Sequence, residues 1–150
     1  GYGVIEKNGS KIVPIDYGVI QTPKDEGIAA RLAMIYDTLN VLIKKFNPDE
    51  IAVEELFFNT NITTGIKVAQ ARGVILLSAV HACGSLYEYT PLMVKQSLTG
   101  NGRADKKQIQ YMVKMMLGLK SEPKPDDAAD ALAIAICHAN TCGFTQRVLN

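Results

Sequence analysis

The sequence predicts an α/β fold, a mixed sheet flanked by helices, and three observations point to it. Two β-rich runs straddle Asn8-Gly9-Ser10, a hairpin signal. Beyond them, long stretches with apolar residues at helical spacing alternate with short apolar runs of strand length. A hairpin followed by such alternation gives a sheet that is antiparallel on one side and parallel on the other.

Each element has its own signature. Residues 2–6 and 11–21 supply the hairpin strands. From 26 to 46, Ile28, Leu32, Ile35, Leu39, Leu42, Ile43 and Phe46 recur at helical spacing, and Asn47-Pro48 ends the helix. Residues 50–55 read as a short buried strand ending in acids. Residues 62–81 read as a second helix, with Ile66, Ala69, Gly73, Leu76, Leu77 and Val80 along one stripe and Gly73 placed for close approach of a neighbour. A strand at 86–89, a short helix at 93–98, the loop 99–103, a helix at 105–117 and a final Ala-rich helix complete the order. Nothing repeats.

The final helix carries the most informative chemistry. Asp127 and Asp130 lie three residues apart at its start, in Pro125-Asp126-Asp127-Ala128-Ala129-Asp130-Ala131-Leu132. Positions i and i+3 share a helix face at roughly 5–6 Å between β-carbons, so both carboxylates can reach one hard cation or a pair. The plain alternative is a helix cap by Asp126 or Asp127. A cap does not explain Asp130, one turn further in. Glu54, at the carboxyl end of the run Ile51-Ala52-Val53, adds a third acid where parallel strands carry functional groups. Three acids and a metal suggest phosphodiester hydrolysis.

Composition narrows the class. With 150 residues, 47% hydrophobic and 21% charged, the chain fits one globular domain. No apolar run approaches the roughly 20 residues of a membrane span and no basic-then-apolar leader is present, so a cytoplasmic protein without a membrane is expected. Cys83, Cys137 and Cys142 are an odd number without framework spacing and are expected as reduced thiols. Cys137, His138 and Cys142 lack a fourth zinc ligand nearby, and His81 reads as a partly buried structural histidine.

Net charge is only +1, but its distribution is uneven. Seven basic residues between Lys95 and Lys124 (Lys95, Arg103, Lys106, Lys107, Lys114, Lys120, Lys124) face only Asp105 and Glu122, a local +5 that leaves −4 elsewhere. A localised basic surface beside an acidic pocket suits a phosphate-backbone ligand, against the alternative of a solvated lysine-rich face.

At this point the residues resemble a known family, the RuvC-type Holliday junction resolvases of the RNase H-like superfamily. The resemblance rests on Gly1-Tyr2-Gly3-Val4-Ile5, Ala52-Val53-Glu54-Glu55-Leu56-Phe57, Ala69-Gln70-Ala71-Arg72-Gly73, Val94-Lys95-Gln96, Gly100-Asn101-Gly102-Arg103-Ala104-Asp105-Lys106, and Asp127-Ala128-Ala129-Asp130-Ala131-Leu132-Ala133, in family order over nearly the whole chain. It implies a metal-dependent homodimeric endonuclease that resolves four-way DNA junctions by paired nicks, in company with a branch-migration helicase complex. Of the family's four acids, Glu54, Asp127 and Asp130 match. The fourth belongs to a first, central strand that the chain as given lacks, so an N-terminally truncated RNase H-like domain spanning 1–150 is expected.

Further roles follow from the same resemblance. Glu54, Asp127 and Asp130 are implied to hold Mg²⁺, two ions per subunit, with Mn²⁺ as a substitute. Lys95 and Lys106 match positions near the scissile phosphate. Arg103 and Lys107 match general DNA-backbone contacts, and Phe57 matches an aromatic that stacks on bases near the crossover. Ordinary core packing is the alternative for Phe57 and Phe58. The helix at 62–81 resembles the dimer element. Two rival readings remain open: a catalytically inactive junction-binding or structural module, and an RNase H-like nuclease acting on RNA. A sugar-kinase or actin-like ATPase is disfavoured by the absence of a Gly-rich phosphate loop and by length.

Overall fold

The computed structural model describes residues 1–55 and 62–145. Its elements run β1 (Tyr2–Asn8), β2 (Lys11–Gly18), α1 (Ile28–Phe46), β3 (Ala52–Glu54), α2 (Ile62–Cys83), β4 (Tyr87–Tyr89), α3 (Pro91–Thr99), α4 (Lys106–Met116) and α5 (Asp126–Thr145). The mixed α/β class is the expected one. The described residues divide into two compact units, one of 1–19, 52–55 and 88–145, the other of 20–51 and 62–87.

The first unit is organised around α5. Ala128, Ala129, Leu132, Ala133, Ile136 and Cys137 on this helix are buried, and β1, β2, β3, α3 and α4 pack against it. β1 and β2 pair antiparallel from Tyr2↔Gly18 to Asn8↔Lys11, closed by a two-residue turn in which Gly9 has φ 62°. That positive φ is the reason for glycine there. Between Val4 and Ile5 the register shifts so that Ile15 has no partner, a bulge next to Pro14, which has no N–H to offer the ladder. Gly3 lets β1 lie directly on α5. A Cβ there would sit 2.8 Å from Leu132 Cδ2 and 2.9 Å from its backbone nitrogen.

Two short helices frame the rest of this unit. Thr90 caps α3 by accepting the Met93 N–H at 3.2 Å, Pro91 opens the helix, and Gly100 closes it in the left-handed region at φ 70°. α4 starts from a reciprocal capping box, in which Asp105 Oδ1 accepts the Gln108 N–H and Gln108 Oε1 accepts the Asp105 N–H, each at 2.8 Å.

The second unit pairs α1 with α2. Asn47, at φ 43°, ends α1 by donating its N–H to the Ile43 carbonyl, and Pro48 follows. The predicted α1 stripe is half-buried except for Ile28, which is exposed.

Five expectations need correction. The single mixed sheet is replaced, among the described residues, by two two-stranded sheets, β1–β2 and β3–β4, with no ladder between β1 and β3. α5 packs on both β1 and β3, which keeps them in one unit without backbone pairing. β3 is only three residues long and half-buried rather than buried, since it has a single partner strand. His81 is exposed, and nothing comes within 4 Å of a Cβ built on Gly73. Finally, α2 is long and apolar enough to cross a membrane by length and composition, because Ala, Val, Leu and Ile dominate a helix whose charged interruptions are Lys67 and Arg72.

Candidate active site

The N-terminal end of α5 gathers three acids at the edge of the buried core, Asp126 and Asp127 in its first turn and Asp130 in the next. Ala128 and Ala129, between the carboxylates, are fully buried and fix the helix face, so the intervening positions turn outward. Asp127 is exposed and Asp130 half-exposed. The helix N-terminus presents positive partial charge that favours anionic side chains. None of these carboxylates is needed as a cap. The Ala128 and Ala129 N–H groups go to the Pro125 carbonyl at 2.9 and 3.4 Å, which leaves the Asp126 side chain free of the helix end.

Instead, Asp126 reaches α4. Its Oδ2 lies 3.3 Å from Lys106 Nζ, and its Oδ1 accepts a hydrogen bond from Gln110 Nε2 at 3.0 Å. Lys124 Nζ approaches the same Oδ1 at 3.5 Å. Lys106 also lies 3.5 Å from Asp130 Oδ2, so one ammonium bridges two carboxylates. The Asp126 carboxyl is held below the usual carboxylate range, first by its hydrogen bond from Lys106 and next by that ammonium's charge. Lys106 is held above its usual value, first by its hydrogen bond to Asp126 and next by the charge of Asp130. Both groups are well exposed, so solvent screens the pair.

The structure thus brings Lys106 and Asp130 together. Glu54 ends β3, which packs on α5. Lys95 is half-buried on α3, another neighbour of α5, and makes no ion pair with the acids among the described residues. Lys107 is exposed on α4, and Arg103 is exposed in the loop before it, where its N–H donates to Asn101 Oδ1 at 2.9 Å. Phe57 and Phe58 lie outside the described residues. Asp126 was legible only as a possible cap, because its partners Lys106 and Gln110 are distant in sequence. The only local hint is Pro125, whose carbonyl takes over the capping work.

Away from the acids, the buried His138 Nδ1 is hydrogen-bonded to Tyr89 Oη at 2.8 Å, and Cys142 Sγ lies 3.1 Å from its Nε2. Burial pushes the Cys137 thiol up, against smaller opposing hydrogen bonds from Ser97 and Thr141. A raised thiol favours the protonated form, which does not ligate metal.

A family model described as "Crossover junction endodeoxyribonuclease RuvC" matches residues 1–138, a span that includes all the carboxylates and lysines above. The chain belongs to the RuvC family. A RuvC from Desulfitobacterium hafniense (strain DSM 10664 / DCB-2) is 54% identical over 148 residues, 99% of this chain and 90% of the relative. One from Clostridioides difficile (strain 630) is 54% identical over 150 residues, 100% of this chain and 89% of the relative. Both bear the name crossover junction endodeoxyribonuclease RuvC. Among solved structures, a T. thermophilus RuvC in complex with Holliday junction substrate superposes with a TM-score of 0.87 at 37% identity, covering 93% of this chain and 86% of that one. A second Thermus thermophilus RuvC structure gives 0.84 at 35% identity, covering 95% and 87%. The RuvC match extends over both units described above.

Proposed function

We propose that this chain is a junction-resolving endonuclease, a phosphodiester hydrolase that nicks four-way DNA at the acid cluster on α5. Membership of the crossover junction endodeoxyribonuclease RuvC family over residues 1–138 carries the reading. The α5 geometry supports it locally: an ammonium 3.5 Å from a carboxylate of an i, i+3 acid pair combines anionic donors with a cation for phosphate.

The chemistry of the donors, hard carboxylate oxygens, suits a divalent ion, although among the described residues Glu54, Asp127 and Asp130 are not gathered within 4.8 Å of one another. Asp127 and Asp130 offer accessible carboxylate oxygens on one face, the ligand chemistry that Mg²⁺ and Mn²⁺ prefer, and Glu54 would join them from β3. Bound Mg²⁺, two ions per subunit in this reading, would supply an activated water and charge stabilisation at the leaving 3′ oxygen. Lys106 and Lys95 place cationic charge toward the phosphate, where it offsets charge that develops in the transition state. Arg103 and Lys107 contribute backbone contacts, and Phe57 contributes base stacking.

Two finer elements belong to the same proposal. A strand seated between β1 and β3 would join the two small sheets into one RNase H-like sheet and bring the fourth acid; the missing ladder between those strands supports it. The homodimer would form through α2, where Ile66, Leu77 and Val80 of the predicted stripe are exposed at 55, 51 and 45%. A two-fold protein suits symmetric cuts in a two-fold junction. A branch-migration helicase complex is the further partner of this reading.

Replacing Asp127 or Asp130 by Asn tests the proposal. Each variant is expected to bind a synthetic four-way junction as the parent does and to lose Mg²⁺-dependent nicking. Undiminished nicking by either would sink the assignment, and preference for an RNA–DNA hybrid over the junction would transfer the chain to the RNA-directed alternative.

A further inference from the structure

We infer that Asp126, which lies outside the carboxylate pair assigned to metal, is the positioning residue for Lys106. It keeps the ammonium at the site when Asp130 turns its oxygens to a cation. The inference rests on the junction-nuclease reading above and adds a role that spacing alone does not suggest.

Lysine is a poor positioning group by itself. Its ammonium sits on a four-carbon stem with high rotamer entropy, and here the side chain is 53% exposed. Something must therefore hold it. Two carboxylates do so, Asp126 Oδ2 at 3.3 Å and Asp130 Oδ2 at 3.5 Å. These two anchors are not equivalent. A divalent ion on Asp130 would remove that oxygen from Lys106 and repel the ammonium as well. Asp126 then becomes the remaining anchor.

Asp126 is built for that task. Gln110 lies one turn after Lys106 on α4, so both project from one helix face, and Gln110 is buried, with 6% of its surface exposed. Its Nε2 donates to Asp126 Oδ1 at 3.0 Å, which leaves Oδ2 turned toward Lys106. The buried amide thereby orients the exposed carboxylate. The start of α4 is fixed in turn by the Asp105–Gln108 capping box, immediately before Lys106. Asp126 does no capping on its own helix, where Pro125 accepts both nearby N–H groups. Its two oxygens are thus committed to α4 and to Lys124.

Asp126→Asn tests this, because the amide oxygen still accepts from Gln110 while Lys106 keeps only Asp130 as a counter-ion. In Asp126→Asn with saturating Mg²⁺, where the ion takes the Asp130 oxygen, acylation of Lys106 by an amine-reactive ester, read by mass spectrometry, is expected to rise about fivefold relative to Lys107, while in the metal-free variant Asp130 still holds the ammonium and the rise is smaller. In the parent with saturating Mg²⁺, Lys106 is expected to stay protected. For junction nicking, kcat is expected to fall about tenfold with KM within about twofold, and Lys106→Met combined with Asp126→Asn to fall no further than Lys106→Met alone. A role limited to joining α4 and α5 would lower the melting temperature of Asp126→Asn and leave Lys106 reactivity and kcat at parental values, which overturns the inference. Exposure of Lys106 by Mg²⁺ in the parent overturns it too. If the parent itself fails to nick the junction, the function reading falls, while the difference in Lys106 acylation between parent and Asp126→Asn with Mg²⁺ still decides the positioning role.

Discussion

Helices α2 and α5 are close in length and both are rich in Ala, Ile, Val and Leu, yet they occupy opposite environments. Along α5, Ala128, Ala129, Leu132 and Ile136 are completely buried, while α2 buries only Ser78 and Ala79 and exposes Ile62, Ile66, Val68, Leu77 and Val80. Neither sequence states which will happen. Apolar density says that a surface must be covered but not by what. α5 is covered by β1, β2, β3, α3 and α4 of its own chain, and this coverage is what gives its acidic first turn a rigid platform. In the homodimer proposed above, the open face of α2 would meet a second copy of the same chain, since a helix can offer the same stripe to a two-fold mate.

The largest effect separating the two helices should come from Leu132→Ala. Leu132 is fully buried against β1, so its truncation leaves a cavity and is expected to cost about 2–5 kcal/mol of unfolding free energy. Chemical denaturation checks this. Leu77→Ala on the exposed face of α2 is expected to leave the stability of the monomer within about 0.5 kcal/mol. Equal losses at the two positions would erase the distinction between a core helix and an interface helix.

Leu77→Asp should next sharpen the interface half of the comparison. For the proposed homodimer through α2, a charge set into the apolar stripe is expected to raise the dissociation constant on the order of 100-fold while the far-ultraviolet circular dichroism stays parental, and a parent that sediments as a monomer would remove the proposal. Sedimentation at micromolar concentration reads the outcome directly. An undisturbed dimer would place its interface elsewhere.

Gly3→Ala probes how tightly α5 is covered. The new Cβ would meet Leu132 Cδ2, N and Cα at 2.8, 2.9 and 3.0 Å, and two of those atoms are backbone that cannot turn aside. A loss of about 1–3 kcal/mol is expected. A neutral result would mean that β1 moves off α5 at little cost.

These contrasts also show what was legible beforehand. The positions of α1 to α5 were readable because helical periodicity and the Asn47-Pro48 stop are local signals, although the readings at 93–98 and 105–117 missed the helix starts that Thr90 and Asp105 cap. The Asp127–Asp130 pair was readable for the same reason, since i, i+3 spacing alone places both side chains on one face. Lys106 beside Asp130, and the hold of Gln110 and Lys106 on Asp126, join residues 16 to 24 apart in sequence, and no local pattern encodes them. The gap between β1 and β3 was legible only through the family resemblance, which seats a central strand there, because strand propensity by itself does not say which strand lies next to which. His81 misled because an apolar neighbourhood in sequence was read as burial.

The smallest effect belongs to the polar end of α5 and follows from charge rather than packing. The Asp126 carboxyl is lowered in the folded protein, chiefly by its hydrogen bond from Lys106, so its stabilising contribution is fully present above the unfolded aspartate value of about 3.9 and is lost as pH falls through the lower folded value. Lys106 is raised, chiefly by the same hydrogen bond, so its contribution is present below about 10.4 and is lost as pH climbs through its folded value. The pair therefore stabilises across the whole neutral range and weakens only at the two extremes. Thermal melts of the parent and Asp126→Asn should differ by a small, constant margin between those limits and converge in acid. Since both groups are exposed, added salt should shrink the margin, whereas the Leu132→Ala deficit, which comes from a cavity, should persist at any ionic strength.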